Sequence, residues 1–126
     1  MQKKSTSLVK SKTKVFIVDD HPIIRQGLIQ LINHEEDLTV CGDSEDACQA
    51  LEKVKALQPG IVIADISLKG MNGIDLIKNL KTRYPALPIL VLSMHDESLY
   101  AERVLRAGAR GYIMKQEATG KFLEAI

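Results

Sequence analysis

A chain of 126 residues with 45% apolar and 26% charged content has the size and composition of one globular domain with a real core. No apolar run approaches the roughly 20 residues needed to span a bilayer, and Leu8 and Val9 make no signal-peptide apolar region. A cytoplasmic protein without membrane association is therefore expected. The net charge of +1 hides an asymmetry: residues 1–14 hold Lys3, Lys4, Lys10, Lys12 and Lys14 and no acid, leaving 12 basic against 16 acidic residues in the remainder. A mildly acidic body argues against nucleic-acid binding by this domain itself. Residues 1–13 read as a flexible, solvated basic tail. Cys41 and Cys48 lack CxxC spacing and His partners, and read as buried small hydrophobes in a reducing compartment.

Residues 14–18 form the first predicted strand, which runs into Asp19 and Asp20. His21-Pro22 opens a helix to about Asn33, since proline suits the first helical turn. Ile24, Leu28, Leu31 and Ile32 make its apolar face; Ile29 lies off that face and is expected to be exposed to a partner. Residues 38–42 are a weaker strand with no chemical residue at its end. Residues 44–57 read as a helix capped by Ser44 or Asp43, with Ala47, Leu51, Val54 and Leu57 inward, closed by Pro59-Gly60.

The stretch 60–65 is short, β-branched and continuously apolar up to Asp65. That pattern predicts a central strand of a parallel sheet covered on both faces. Asn72-Gly73 is turn chemistry, and residues 74–84 predict a helix with Ile74, Ile77 and Leu80 inward. Pro85 and Pro88 bracket a connection to a strand over 87–92, ending at Ser93. Residues 98–107 predict a fourth helix stopped by Gly108, thin in large apolar residues and so a candidate mobile element. The last strand spans 110–114, followed by Lys115, and residues 118–126 begin a fifth helix that the chain leaves after barely two turns.

Five alternations of strand and helix predict a parallel α/β sheet with right-handed crossovers and helices on both faces. The carboxyl ends of its strands then gather Asp19, Asp20, Asp65, Ser93 and Lys115 at one edge, where open α/β sheets bind ligands. Three carboxylates repel one another and need a cation; all-oxygen ligation suits Mg²⁺ or Mn²⁺. Three negative charges balance one divalent ion plus Lys115. In such a pocket Asp65 is a candidate nucleophile that accepts a phosphoryl group. Metal and Lys115 would stabilise the transferred oxygens, Ser93 would donate a hydrogen bond to one of them, and Tyr112 would fill the space the Ser93 loop vacates. Each residue alone has an ordinary explanation: Asp65 as a cap, Lys115 as a solvated lysine, Ser93 as a turn starter, Tyr112 as packing. It is the set, each at its own strand end, that carries the reading. His21, His34 and His95 are not metal-spaced and none is read as a ligand; His95 lies near the expected pocket mouth.

These residues resemble the receiver domain of bacterial two-component response regulators over residues 14–126. The resemblance rests on Val18-Asp19-Asp20-His21-Pro22, Ile63-Ala64-Asp65, Met71-Asn72-Gly73, Leu92-Ser93, Gly108-Ala109-Arg110-Gly111-Tyr112 and Lys115. It implies a flavodoxin-like (βα)5 doubly wound sheet of order 2-1-3-4-5. It also implies Asp65 as phosphoacceptor, Asp19 and Asp20 as the acid pair, and Mg²⁺ held by Asp20, Asp65 and the backbone carbonyl of Ser67. Ser93 and Tyr112 resemble the switch pair, and Lys115 the phosphate-contacting lysine. The implied phosphoryl donor is a phosphohistidine on a sensor histidine kinase.

The Asp-Asp-His-Pro start, Leu-Ser-Met-His and Ala-Gly-Ala-Arg-Gly-Tyr are most similar to the NarL/FixJ-type subfamily, which implies a DNA-binding helix-turn-helix output domain after the receiver. No such domain follows here, so a truncated regulator is expected, with DNA reached only through the absent domain. Lys69 and Gln116 stand where many receivers have proline. A shortened fifth helix implies a monomer or weak homodimer. The expected activity is a signalling switch without turnover on an external substrate. The alternatives are a stand-alone receiver acting by protein contact, a metal-dependent phosphatase and a flavin module. The phosphatase is disfavoured by Ser67, where many such enzymes carry a second acid.

Overall fold

Four consecutive apolar residues, Val15 to Val18, are buried on both faces of the sheet because their strand has a neighbour on each side and helices above and below. A computed structural model describes residues 12–65, 73–93, 102–103 and 105–114, by backbone alone at Ser93 and 112–114. In chain order the elements are β1 (Thr13–Val18), α1 (Pro22–Asn33), β2 (Leu38–Ser44), α2 (Ala47–Leu57), β3 (Ile61–Asp65), α3 (Gly73–Arg83), β4 (Ile89–Ser93) and β5 (Gly111–Met114). All strand pairs are parallel, and the order across the sheet is β2-β1-β3-β4-β5, as expected. β3 is wholly buried at the centre. β2, with one neighbour, is mostly half-buried, which explains its weak apolar pattern.

One layer of core joins Leu28 and Ile32 of α1 to Val15, Ile17, Ile61, Ile63, Leu90 and Leu92. The other joins Phe16, Val18, Val62 and Val91 to residues of α2 and α3. Leu76, not assigned to the inner face from sequence, is fully buried because α3 also packs against α2. Among the described residues no helix is long and apolar enough to cross a membrane.

Several local expectations are corrected. Ile29 is half-buried against the core, not exposed, because α1 leans toward the edge strand β2 and covers that flank. The exposed residue is Ile23, at 87%. Helix α2 starts at Ala47, later than expected: Asp43 and Ser44 remain in β2, and Asp46 is the cap, its carboxylate accepting from the Gln49 amide at 2.8 Å. The helix ends where Gln58 takes a left-handed conformation (φ 51°), ahead of Pro59. Of the fourth predicted helix, residues 102, 103, 105 and 106 are helical and Ala107 lies in the turn that follows. Gly108 ends it with φ 117°, and a Cβ there would lie 2.7 Å from Lys81 Cγ, so both backbone and space require glycine. Residues 1–11, the fifth helix and half of the fourth (98–101 and 104) lie outside the described residues.

The cysteines differ from each other. Cys41 is half-buried, but Cys48 is exposed on α2 rather than buried. Burial pushes the Cys41 thiol up, with Lys14 opposing the shift. Brief alkylation at neutral pH is expected to label Cys48 several-fold faster than Cys41, with the Cys41 rate climbing as pH rises and thiolate forms. Peptide mass spectrometry reads both sites; equal rates would contradict this placement.

Candidate functional site: an acidic trio at the carboxyl edge of the sheet

Val18 pairs with Ala64, so the next residues on these adjacent strands, Asp19 and Asp65, emerge side by side at the carboxyl edge. Both are almost completely buried, at 1% and 2% exposure, and Asp20 is 18% exposed at the side chain. Asp19 is the most firmly held. Its amide donates to the Ser44 carbonyl at 3.0 Å, and its carboxylate accepts the His21 amide at 2.8 Å. Its carbonyl accepts Arg25 Nη1 at 2.6 Å.

One donor atom from each of Asp19, Asp20, His21 and Asp65 lies within 4.8 Å of the others. His21 Nδ1 sits 3.1 Å from Asp19 Oδ1, 3.1 Å from Asp20 Oδ1 and 3.5 Å from Asp65 Oδ2. The sequence reading gave His21 no place here, because a lone histidine without metal spacing carries no signal. Its position directly after Asp19-Asp20 was the available clue.

The donor set fits a hard divalent cation. Three carboxylates converge with their oxygens within 4.8 Å of one another, an all-oxygen set of the kind that hard divalent ions take. Among the described residues the buried Oδ1 of Asp20 accepts no hydrogen bond, although His21 Nδ1 lies 3.1 Å away. That is a suitable state for an oxygen reserved for a cation.

Ser93 ends β4 one residue beyond Leu92, the register partner of Asp65, so its backbone lies at the same edge on the adjacent strand. Tyr112 pairs with Val91 on β5, two strands from Asp65. Ser67, Lys69, His95, Lys115 and Gln116 lie outside the described residues.

A doubly wound sheet of this order, with acids crowded at the carboxyl edge beside its topological switch, defines a flavodoxin-like domain whose acidic cluster could hold a metal ion. The family model for the response regulator receiver domain matches residues 15–126, and the chain belongs to that family, in its NarL/LuxR-type branch. It is 34% identical over 117 residues to the transcriptional regulatory protein DegU of Brevibacillus brevis, covering 93% of this chain and 50% of that protein. It is 34% identical over 114 residues to the oxygen regulatory protein NreC of Staphylococcus haemolyticus, covering 90% and 52% respectively. The crystal structure of a LuxR-family two-component response regulator from Aurantimonas sp. SI85-9A1 matches with a TM-score of 0.86 at 32% identity, over 90% of this chain and 81% of that one. The chain thus spans about half the length of the DegU and NreC relatives.

Proposed function

We propose that this domain accepts a phosphoryl group on Asp65 from a phosphohistidine of a sensor histidine kinase, in a Mg²⁺-dependent step that switches a transcription-regulating output. The observation that carries this reading is the convergence of Asp19, Asp20 and Asp65 at the carboxyl edge, with Asp65 2% exposed. A carboxylate oxygen of Asp65 attacks phosphorus, the phosphorus–nitrogen bond of the donor breaks, and the imidazole leaves with the bonding pair and takes up a proton. The product is an acyl phosphate. Asp19, Asp20, Asp65 and the Ser67 backbone carbonyl would hold Mg²⁺, which supplies positive charge to the phosphoryl oxygens when bound.

Lys115 contacts the phosphoryl oxygens, Ser93 donates a hydrogen bond to one of them, and Tyr112 follows the movement of the Ser93 loop. The basis for these roles is their position in the receiver motif, together with the backbone placement of Ser93 and Tyr112 at β4 and β5. Receiver domains as a class are not metabolic enzymes, and none of the comparisons favours the phosphatase or flavin readings. In the regulator to which this domain corresponds, DNA binding resides in a C-terminal helix-turn-helix domain and not in residues 14–126. The protein works in the cytoplasm, and any homodimer of the receiver is weak.

Intact-mass spectrometry after incubation with a small phosphodonor tests the reading. With Mg²⁺ the protein gains one phosphoryl group; with a chelator it gains none. A folded protein that gains nothing under either condition would defeat the phosphoacceptor reading and favour a receiver that signals by contact alone.

A further inference from the structure

Arg25, on the first turns of α1, is absent from the phosphoacceptor chemistry, yet it reaches the pocket's backbone. Its Nη1 donates to the Asp19 carbonyl at 2.6 Å and its Nε pairs with Asp43 Oδ2 at 2.8 Å. A planar guanidinium can hold two oxygens on different strands at fixed separation; a lysine ammonium cannot do so with the same geometry. The 19–21 segment needs such a tie. It carries three of the four clustered side chains, and His21, at the N-cap of α1, makes no side-chain cap bond. Asp43 is held in turn by Lys53 Nζ, which donates to its carbonyl at 2.9 Å.

A bulge in β2 makes the pair possible. Val15 pairs with Val40 but Phe16 pairs with Gly42, so Cys41 is skipped. Cys41 packs against the α2–α3 layer, and a Cβ on Gly42 would meet Leu57 and Phe16 in that same layer. Two successive residues on one face reverse the alternation that follows. Asp43 therefore reaches Arg25 on the α1 side; without the bulge it would point to the opposite face.

We propose that Arg25 is a positioning residue of the acidic pocket: it clamps the Asp19 carbonyl, with Asp43 holding the guanidinium, and so fixes how Asp19 and Asp20 present oxygens to the cation. The proposal rests on the metal reading given above. Asp43 is 41% exposed at the side chain, so its ion pair adds little to folding stability. A merely structural role therefore predicts a small change in unfolding and none in metal affinity.

Mg²⁺ titration followed by amide chemical shifts, with urea unfolding in parallel, separates the two roles. Arg25→Gln is expected to weaken Mg²⁺ binding about tenfold, the lower range for groups that orient metal ligands, with its unfolding midpoint near that of the wild type. Arg25→Lys and Asp43→Asn fall between, because each keeps one half of the bridge. Wild-type affinity in Arg25→Gln would overturn the clamp. If that variant does not fold, wild-type affinity in both milder variants would overturn it equally. A wild-type protein that binds Mg²⁺ but takes no phosphoryl group would defeat the proposed function while leaving the clamp tested. A wild-type protein that binds no Mg²⁺ would overturn clamp and metal site together.

Discussion

Asp65→Asn is expected to end phosphoryl acceptance, lowering uptake from a small phosphodonor by at least about 10³-fold in a protein that still folds. The amide is nearly isosteric with the carboxylate but is no nucleophile toward phosphorus. Asp65 lies at the end of the fully buried strand β3; of the other acids in the described cluster, Asp19 is bound to the His21 amide and Asp20 lies one residue beyond it on the other strand. The substitution also removes one of three like charges packed within 4.8 Å. In the absence of divalent cation, the unfolding midpoint of the variant should therefore not fall below that of the wild type. Intact mass and a urea titration on the same sample check both halves. Uptake at the wild-type level would assign the phosphoryl group to another residue. A collapsed midpoint would mean that Asp65 holds the fold as well as the chemistry.

Phe16→Ala is expected to cost about 3–5 kcal/mol of folding stability, a large part of the roughly 5–15 kcal/mol available to a domain of this kind. Phe16 is completely buried on the α2–α3 side of β1. Its ring packs where Gly42 leaves room: a Cβ on Gly42 would lie 3.2 Å from Phe16 Cε1 and 2.7 Å from Leu57 Cδ1. Strands β2 and β3 fix the backbone on either side, so the cavity cannot collapse by moving β1 alone. Urea unfolding should show a midpoint well below that of the wild type with little change in slope. A loss below about 1 kcal/mol would mean that the site repacks, contrary to the density of this layer.

The site was legible to the extent that it lies on strand ends. Buried strands read as apolar runs, and an acid that stops such a run marks the sheet edge; the sequence pattern alone therefore places Asp19, Asp20 and Asp65 there. The motif order around them pointed to the receiver family that the comparisons establish. Residues whose role depends on a distant segment were misread or missed. Ser44 looked like a helix cap, but the strand pairing of β2 with β1 extends through it and moves the cap to Asp46. Cys48 passed for core because small residues are ambiguous on a helix whose inner face is carried by Ala47, Ala50 and Val54.

The amino-acid sequence by itself determined the alternation of strands and helices, the two-faced burial of the central strands, and the presence of an acid at the end of β1 and β3. These follow from periodicity and transfer free energy within short windows. Only the tertiary structure decided that α1 covers Ile29 and leaves Ile23 in solvent, that His21 turns into the carboxylate cluster, and that a bulge aims Asp43 at Arg25. Each of these depends on the register or lean of one element against another. That is a balance of packing between segments far apart in the chain, and no local pattern of residues encodes it.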